Sequence, residues 1–146
     1  MIELQYPDIL PETRARGGGK EVFDPVRKRW VRLSPEEWVR QLFILLLAET
    51  HRFPIAWMAV EQSIALGALQ KRFDLLVYDS AQQPWMMIEC KAETVALDAS
   101  VLDQLLRYNM SVPVRYLLIT NGVQCMGWER NGQHLIPLQK IPALTV

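Results

Sequence analysis

The chain is short of cysteine, of long apolar runs and of net charge, and each shortage excludes something. Two cysteines, Cys90 and Cys125, with no Cys-x-x-Cys, are too few for a disulfide framework or a four-cysteine zinc site. The longest apolar run, Leu42 to Ala48, falls far short of the roughly 18 residues a membrane-spanning helix needs. Sixteen basic residues balance sixteen acidic ones. Bulk positive charge therefore cannot drive nucleic-acid binding, and only a local basic patch remains for that purpose. No repeat, low-complexity tract or Gly-x-x-x-x-Gly-Lys-Ser/Thr phosphate loop occurs. The start, Met-Ile-Glu-Leu-Gln, has no basic segment before an apolar core. These features predict a reduced, cytoplasmic location. With 146 residues, half of them apolar, the chain has the size and composition of one globular domain with a core of its own.

Punctuation divides the chain. Pro7, Pro11 and Gly17-Gly18-Gly19 mark residues 1–22 as an irregular N-terminal arm, leaving 23–146 as a single domain. Within Phe23 to Leu33 the second half alternates like a short edge strand. Ser34-Pro35-Glu36-Glu37 is the clearest helix start: Ser34 as cap, Pro35 at the first position, Glu37 closing a capping box. The helix is predicted to reach Glu49 or His51, with Trp38, Leu42, Leu45 and Leu46 as its apolar stripe. Strands follow over Ala56–Ala65, Phe73–Tyr78 and Trp85–Cys90, with Gly67 in a turn. Their short connections favour antiparallel pairing. A second helix runs from Asp98 or Ser100 to Asn109. Strands over Val114–Thr120, Val123–Trp128 and His134–Ile136 are separated by the turns Asn121-Gly122 and Asn131-Gly132. The order predicts an α/β sandwich, a central mixed sheet flanked by helices.

Chemistry concentrates at Asp74 and at Glu89-Cys90-Lys91. Residues two apart on a strand share a face, so Glu89 and Lys91 point one way and Cys90 the other. Asp74 lies on the preceding strand, where hairpin pairing sets it beside Glu89. Two carboxylates and an ammonium in one place are costly to desolvate unless paired or bound to a metal. Hard oxygen donors on adjacent strands suit Mg²⁺, with Mn²⁺ as a substitute, and the Cys90 carbonyl offers a further ligand. Glu61, on the strand before, is an additional acid within reach. Lys91 can orient an attacking water or stabilise phosphate charge. The reaction implied is metal-assisted hydrolysis of a phosphodiester. The plainer reading of the same residues is a structural ion pair at a sheet end.

Basic residues supply candidates for phosphate contact. Lys71 and Arg72 stand just before Asp74, and Arg27, Lys28, Arg29 and Arg32 surround Trp30. The latter group reads equally as a solvated face. His51 and His134 match no metal-ligand spacing, and Cys90 has no histidine nearby to activate it.

The arrangement resembles the PD-(D/E)xK nuclease superfamily, and more closely the small proteins related to the N-terminal nuclease region of type I restriction enzyme R subunits. The resemblance is carried by Phe23–Val31, Ser34–Gln41, Lys71–Asp74, Ile88–Ala92, Asp103–Asn109 and Ile119–Gly122, an ordered set across about residues 23–125. It implies a restriction-endonuclease-like fold, metal held by Asp74 and Glu89, and a catalytic Lys91. It also implies a helix glutamate near the metal, for which Glu37 is the match. Gln104 and Tyr108, four apart on one face of the second helix, match an element that supports the site and contacts DNA in related enzymes. DNA is the partner implied. Cutting both strands needs two sites, which a homodimer would supply, and a motor or specificity subunit would be a separate chain. The sequence departs from the family pattern in having Phe73 where proline precedes the aspartate. A second reading, from another class, is a catalytically silent module that uses the same fold to hold nucleic acid or a protein.

Overall fold

A computed structural model describes residues 1–66, 68–110 and 112–144; the turn expected at Gly67 lies outside them. Strands β1 (Thr13–Arg16), β2 (Gly19–Asp24) and β3 (Arg29–Arg32) form a small antiparallel sheet in that order. Helix α1 (Pro35–Leu45) follows, then a wider turn of helix over Leu46–Thr50 and a short 3₁₀ turn, Ile55–Trp57. Strands β4 (Met58–Leu66), β5 (Leu69–Tyr78) and β6 (Pro84–Cys90) precede helix α2 (Ala99–Asn109). Strands β7 (Tyr116–Thr120), β8 (Cys125–Asn131) and β9 (His134–Pro137) complete a six-stranded sheet whose spatial order is its chain order. Each neighbouring pair is antiparallel except β6 and β7, which are parallel because α2 carries the chain across between them.

The two helices cover opposite faces of that sheet. Val39, Phe43, Ile44, Leu46 and Leu47 pack on Leu75, Val77, Met86, Ile88 and Cys90. Val101, Leu102, Leu105 and Leu106 pack on Phe73, Leu76, Met87, Leu117 and Ile119. Met86, Ile88 and Cys90 therefore face α1 while Met87 faces α2, the period-two alternation of a strand buried on both sides. Each such side chain contributes about 1.5–3 kcal/mol of burial. The result is a restriction-endonuclease-like α/β sandwich. Among the described residues no helix is long and apolar enough to cross a membrane.

Two local expectations are corrected. Residues 1–22 are not irregular throughout: Thr13–Arg16 and Gly19–Asp24 form a hairpin around Gly17 and Gly18, whose φ values of +52° and +79° suit glycine. Ile2, 3% exposed, is also tied down, its N–H donating to the Cys125 carbonyl at 2.8 Å. The helix reaches Thr50, as expected, but after Leu45 its hydrogen-bond ladder widens to a π-turn. Ser34 does cap the helix, accepting the Glu37 N–H at 3.0 Å. The Glu37 carboxylate, however, turns to Arg27, Arg40 and Gln41 instead of closing a capping box.

Candidate active site

The site forms where two strands part. The β5–β6 ladder ends at Leu75 opposite Ile88, while β6 stays paired with β7 as far as Cys90 opposite Thr120. Lys91 extends that hold, its N–H donating to the Thr120 carbonyl at 2.8 Å. In the gap the Asp74 carboxylate reaches across and accepts the Cys90 N–H at 2.9 Å. Glu89, next along the same register, lies against Asp74, and its Oε1 is buried without a hydrogen-bond partner. Burial first, and then the neighbouring Asp74 charge, push the Glu89 carboxyl up to about 8; Lys91 opposes them and Glu36 adds to them. The Cys90 side chain is fully buried in the α1-facing core, and burial raises its thiol further, so it is not a nucleophile.

A buried arginine holds the acidic side of this gap. Arg40, 4% exposed, sits 3.1 Å from Glu37, 3.5 Å from Glu61 and 3.5 Å from Asp74. Glu37 is further engaged by Arg27 at 2.6 Å. Glu61, in a left-handed backbone conformation (φ +53°), also meets Arg72 at 2.7 Å and Arg27 at 3.8 Å. Burial raises the Glu61 carboxyl, but Arg40, Arg72 and Arg27 outweigh it and hold it below its ordinary value. Both Glu37 and Glu61, the two further acids expected near the metal, are thus engaged by arginines. Glu36, beside Glu37 on the helix, is exposed, and its carboxyl is raised by burial and then by the Asp74 charge, against the pull of Lys91 and Arg40. Arg40 was not among the residues expected at the site. The signal for Arg40 was a lone arginine one turn after Glu37 on an otherwise apolar face.

On the other side of Glu89 opens a groove of about 400 Å³, lined by Glu89, Lys91, Gln104 and Tyr108 with Val95, Val101 and Leu105. Four predicted residues from β6 and α2 meet here. Lys71 joins them at the rim, its Nζ 4.1 Å from the centre of the Tyr108 ring. The remaining basic residues divide. Arg27 spends its guanidinium on Asp24 and Glu37, and although burial opposes its charge, those two carboxylates raise its pKa. It is an internal strut, not a phosphate contact. Arg72 is exposed but paired with Glu61. Lys28 and Arg29 are exposed at the β2–β3 turn.

Among the described residues no three His, Cys, Asp or Glu side chains converge closely enough to cage a cation without other donors. The Asp74–Glu89 pair nevertheless fits a hard divalent ion that keeps part of its water shell. Both donors are carboxylate oxygens, and the buried Glu89 Oε1 lacks any partner that a cation would displace.

Residues 35–142 match the family of the type I restriction enzyme R protein N terminus. The chain belongs to that family. No curated protein matches it. A solved structure described as a cryo-EM structure of a DrdV–DNA complex is similar over 70% of this chain, at 21% identity and a TM-score of 0.49. This chain spans 10% of the length of that one.

In this member of the R-protein N-terminal family, every residue of the gap and groove, from Glu36 to Tyr108, lies inside the matched segment. The three-stranded sheet over 13–32 lies wholly before it.

Proposed function

We propose that this protein is a divalent-metal-dependent nuclease, endonuclease-like, that hydrolyses phosphodiester bonds in DNA. The observation that carries this reading is the Asp74–Glu89 pair. Two carboxylates are held together at a strand end, one with a buried, partnerless oxygen, and Lys91 lines the groove beside them. Such a pair is costly to keep ionised unless a cation joins it, and without one Glu89 holds its proton. Asp74 and Glu89, with the Cys90 backbone carbonyl, would hold Mg²⁺ or Mn²⁺. When bound, the cation supplies Lewis acidity toward a phosphodiester oxygen.

The chain's own residues do the rest. Lys91 brings an ammonium to the groove, where it donates to a phosphate oxygen or orients the attacking water. Gln104 presents an amide on the facing wall, able to donate to phosphate and accept from water. Lys71 over Tyr108 forms a cationic, aromatic rim past which the strand would run. Arg40 fixes Asp74 from behind without entering the groove. Support also comes from membership of a restriction-enzyme family.

The test is calorimetric titration of Mn²⁺ and Mg²⁺ into wild type and Asp74→Ala, with and without a short duplex, followed by a cleavage assay. Metal binding that disappears in the variant, together with metal-dependent cutting, is expected. Folded wild type that binds neither ion and cuts neither single- nor double-stranded DNA would replace this reading with the silent binding module.

A further inference from the structure

The neutral chain hides a segregation of charge. Residues 13–32 contain seven basic and two acidic side chains, a net charge of +5, while the remainder contains nine and fourteen, a net −5. Those residues are the three-stranded sheet. Its strand register sorts them by face. Val22 and Asp24, both fully buried, belong to the face turned toward the body of the protein. Arg14, Glu21 and Arg32 stand side by side across β1, β2 and β3 on the opposite face, and Arg16 lies two residues further along β1. Beside them, Phe23 and Trp30 pair edge to face at 5.6 Å, and the Arg14 guanidinium lies 4.2 Å from the Trp30 ring centre.

Glu21 is committed to Arg14 at 2.8 Å. Arg16, Lys20 and Arg32 are exposed, and among the described residues none of them makes an ion pair. They converge with Gly17–Gly19 on a groove of about 340 Å³ at the hairpin tip. Gly17 and Gly18 have nothing within 4 Å of where a side chain would begin, which leaves the tip open to a close-approaching ligand. An internal electrostatic role for these three residues would require acidic partners; the nearest acid, Glu21, is taken by Arg14, and among the described residues no ion pair reaches them. Surplus cations along a sheet face, with an arginine oriented by a tryptophan, match the repeating charge of a nucleic-acid backbone.

We infer that the outer face of the β1–β3 sheet, together with the hairpin tip at its edge, is a nucleic-acid backbone grip, with Arg16 and Arg32 on that face and Lys20 at the tip as phosphate contacts and Trp30 holding Arg14 in line. The partner rests on the nuclease reading above, but the grip itself needs neither metal nor Asp74. Position supports the pairing of the two: β3 ends at Arg32 and α1, whose Glu36 lies within reach of the Asp74 charge, begins at Pro35. Arg27, bridging Asp24 and Glu37, ties the sheet's β2–β3 turn to the first turn of the same helix. The sheet is thus fixed to the helix that borders the candidate cleavage site.

The test is fluorescence anisotropy of labelled single-stranded and duplex oligonucleotides in EDTA, across a salt series. Wild type and Asp74→Ala are expected to bind alike. The triple variant Arg16→Ala/Lys20→Ala/Arg32→Ala should lose on the order of tenfold or more in affinity and about 2–3 from the log–log salt slope. Arg16→Lys/Arg32→Lys, which keeps the charge, should retain most of the binding and excludes a folding defect. Whichever oligonucleotide binds tighter names the preferred form. Equal binding by wild type and the triple variant would overturn the inference. So would capture by phosphatidylserine vesicles, through the same residues, without oligonucleotide binding. Loss of metal binding or cleavage with the anisotropy result intact would defeat only the nuclease reading.

Discussion

The Asp74 carboxylate accepts the backbone N–H of Cys90 across a gap in the β5–β6 ladder, at 2.9 Å. A side chain thus closes the hydrogen bonding where the backbone stops pairing, and the strand end stays ordered without being filled. That is the condition for a pocket at a sheet end. It also forces the neighbouring Glu89 to share space with a second carboxylate.

In metal-free protein Glu89 should make stability depend on pH. Its folded-state value is about 8 against an ordinary 4.5, raised by burial and then by Asp74. The folded state therefore holds a proton that the unfolded state releases between those values. Its contribution is fully present below about 4.5 and is lost as pH rises through 8. In EDTA, Tm should fall across that window, and Glu89→Gln should flatten the fall and match or exceed wild type at pH 8. Thermal melts of both proteins from pH 5 to 9 check this; parallel curves would refute it.

Arg40 should be the most costly polar residue to remove. Its buried guanidinium faces Glu37, Glu61 and Asp74 at 3.1–3.5 Å. Arg40→Met leaves those carboxylates facing one another with one cation fewer, a loss of about 3–5 kcal/mol. Urea denaturation measures it. A change below about 1 kcal/mol would mean that Arg27 and Arg72 carry the network alone.

Lys91→Met should separate activity from stability. The side chain is only half-buried and lines the groove, while the residue's structural tie is its backbone N–H to Thr120. Tm should stay nearly unchanged while the cleavage rate falls by about 10²-fold or more. Gln104→Ala, on the exposed wall, should fall less, with wild-type Tm. Rates measured with Mn²⁺ at saturating DNA decide the order.

Gly122→Ala should destabilise the fold without touching a groove-lining side chain. Gly122 has φ +91°, and an added Cβ would meet Val39 Cγ2 at 3.3 Å. Strain and a crowded α1 contact together predict a loss above about 1 kcal/mol. A variant as stable as wild type would show that Val39 yields without cost.

Much of the architecture was legible because local rules and tertiary packing agree. Ser34-Pro35 started α1 as expected, and Asp98 caps α2 by accepting the Val101 N–H at 2.9 Å. Alternation and the turns at Asn121-Gly122 and Asn131-Gly132 placed most strands to within a few residues. The hairpin over 13–24 was not legible. Its outward face carries arginines where a strand pattern calls for contrast, and Gly17–Gly19 reads as a linker until Val22 is seen buried.

The site divides in the same way. Asp74, Glu89 and Lys91 could be grouped from the chain alone, because hairpin pairing and period-two alternation leave few other arrangements. The same holds for Gln104 and Tyr108 on one helical face. Which acids remain available depended on tertiary contacts. Glu36 and Glu37 are adjacent and chemically identical, yet about 100° of helical turn leaves one exposed and sends the other into an arginine cage. Likewise Arg27 and Arg32 read alike in the chain. Burial and the acids brought beside it make Arg27 a strut, while Arg32 stays exposed on the outer sheet face. Partners distant in sequence set the charge each group can carry, and no local pattern encodes them.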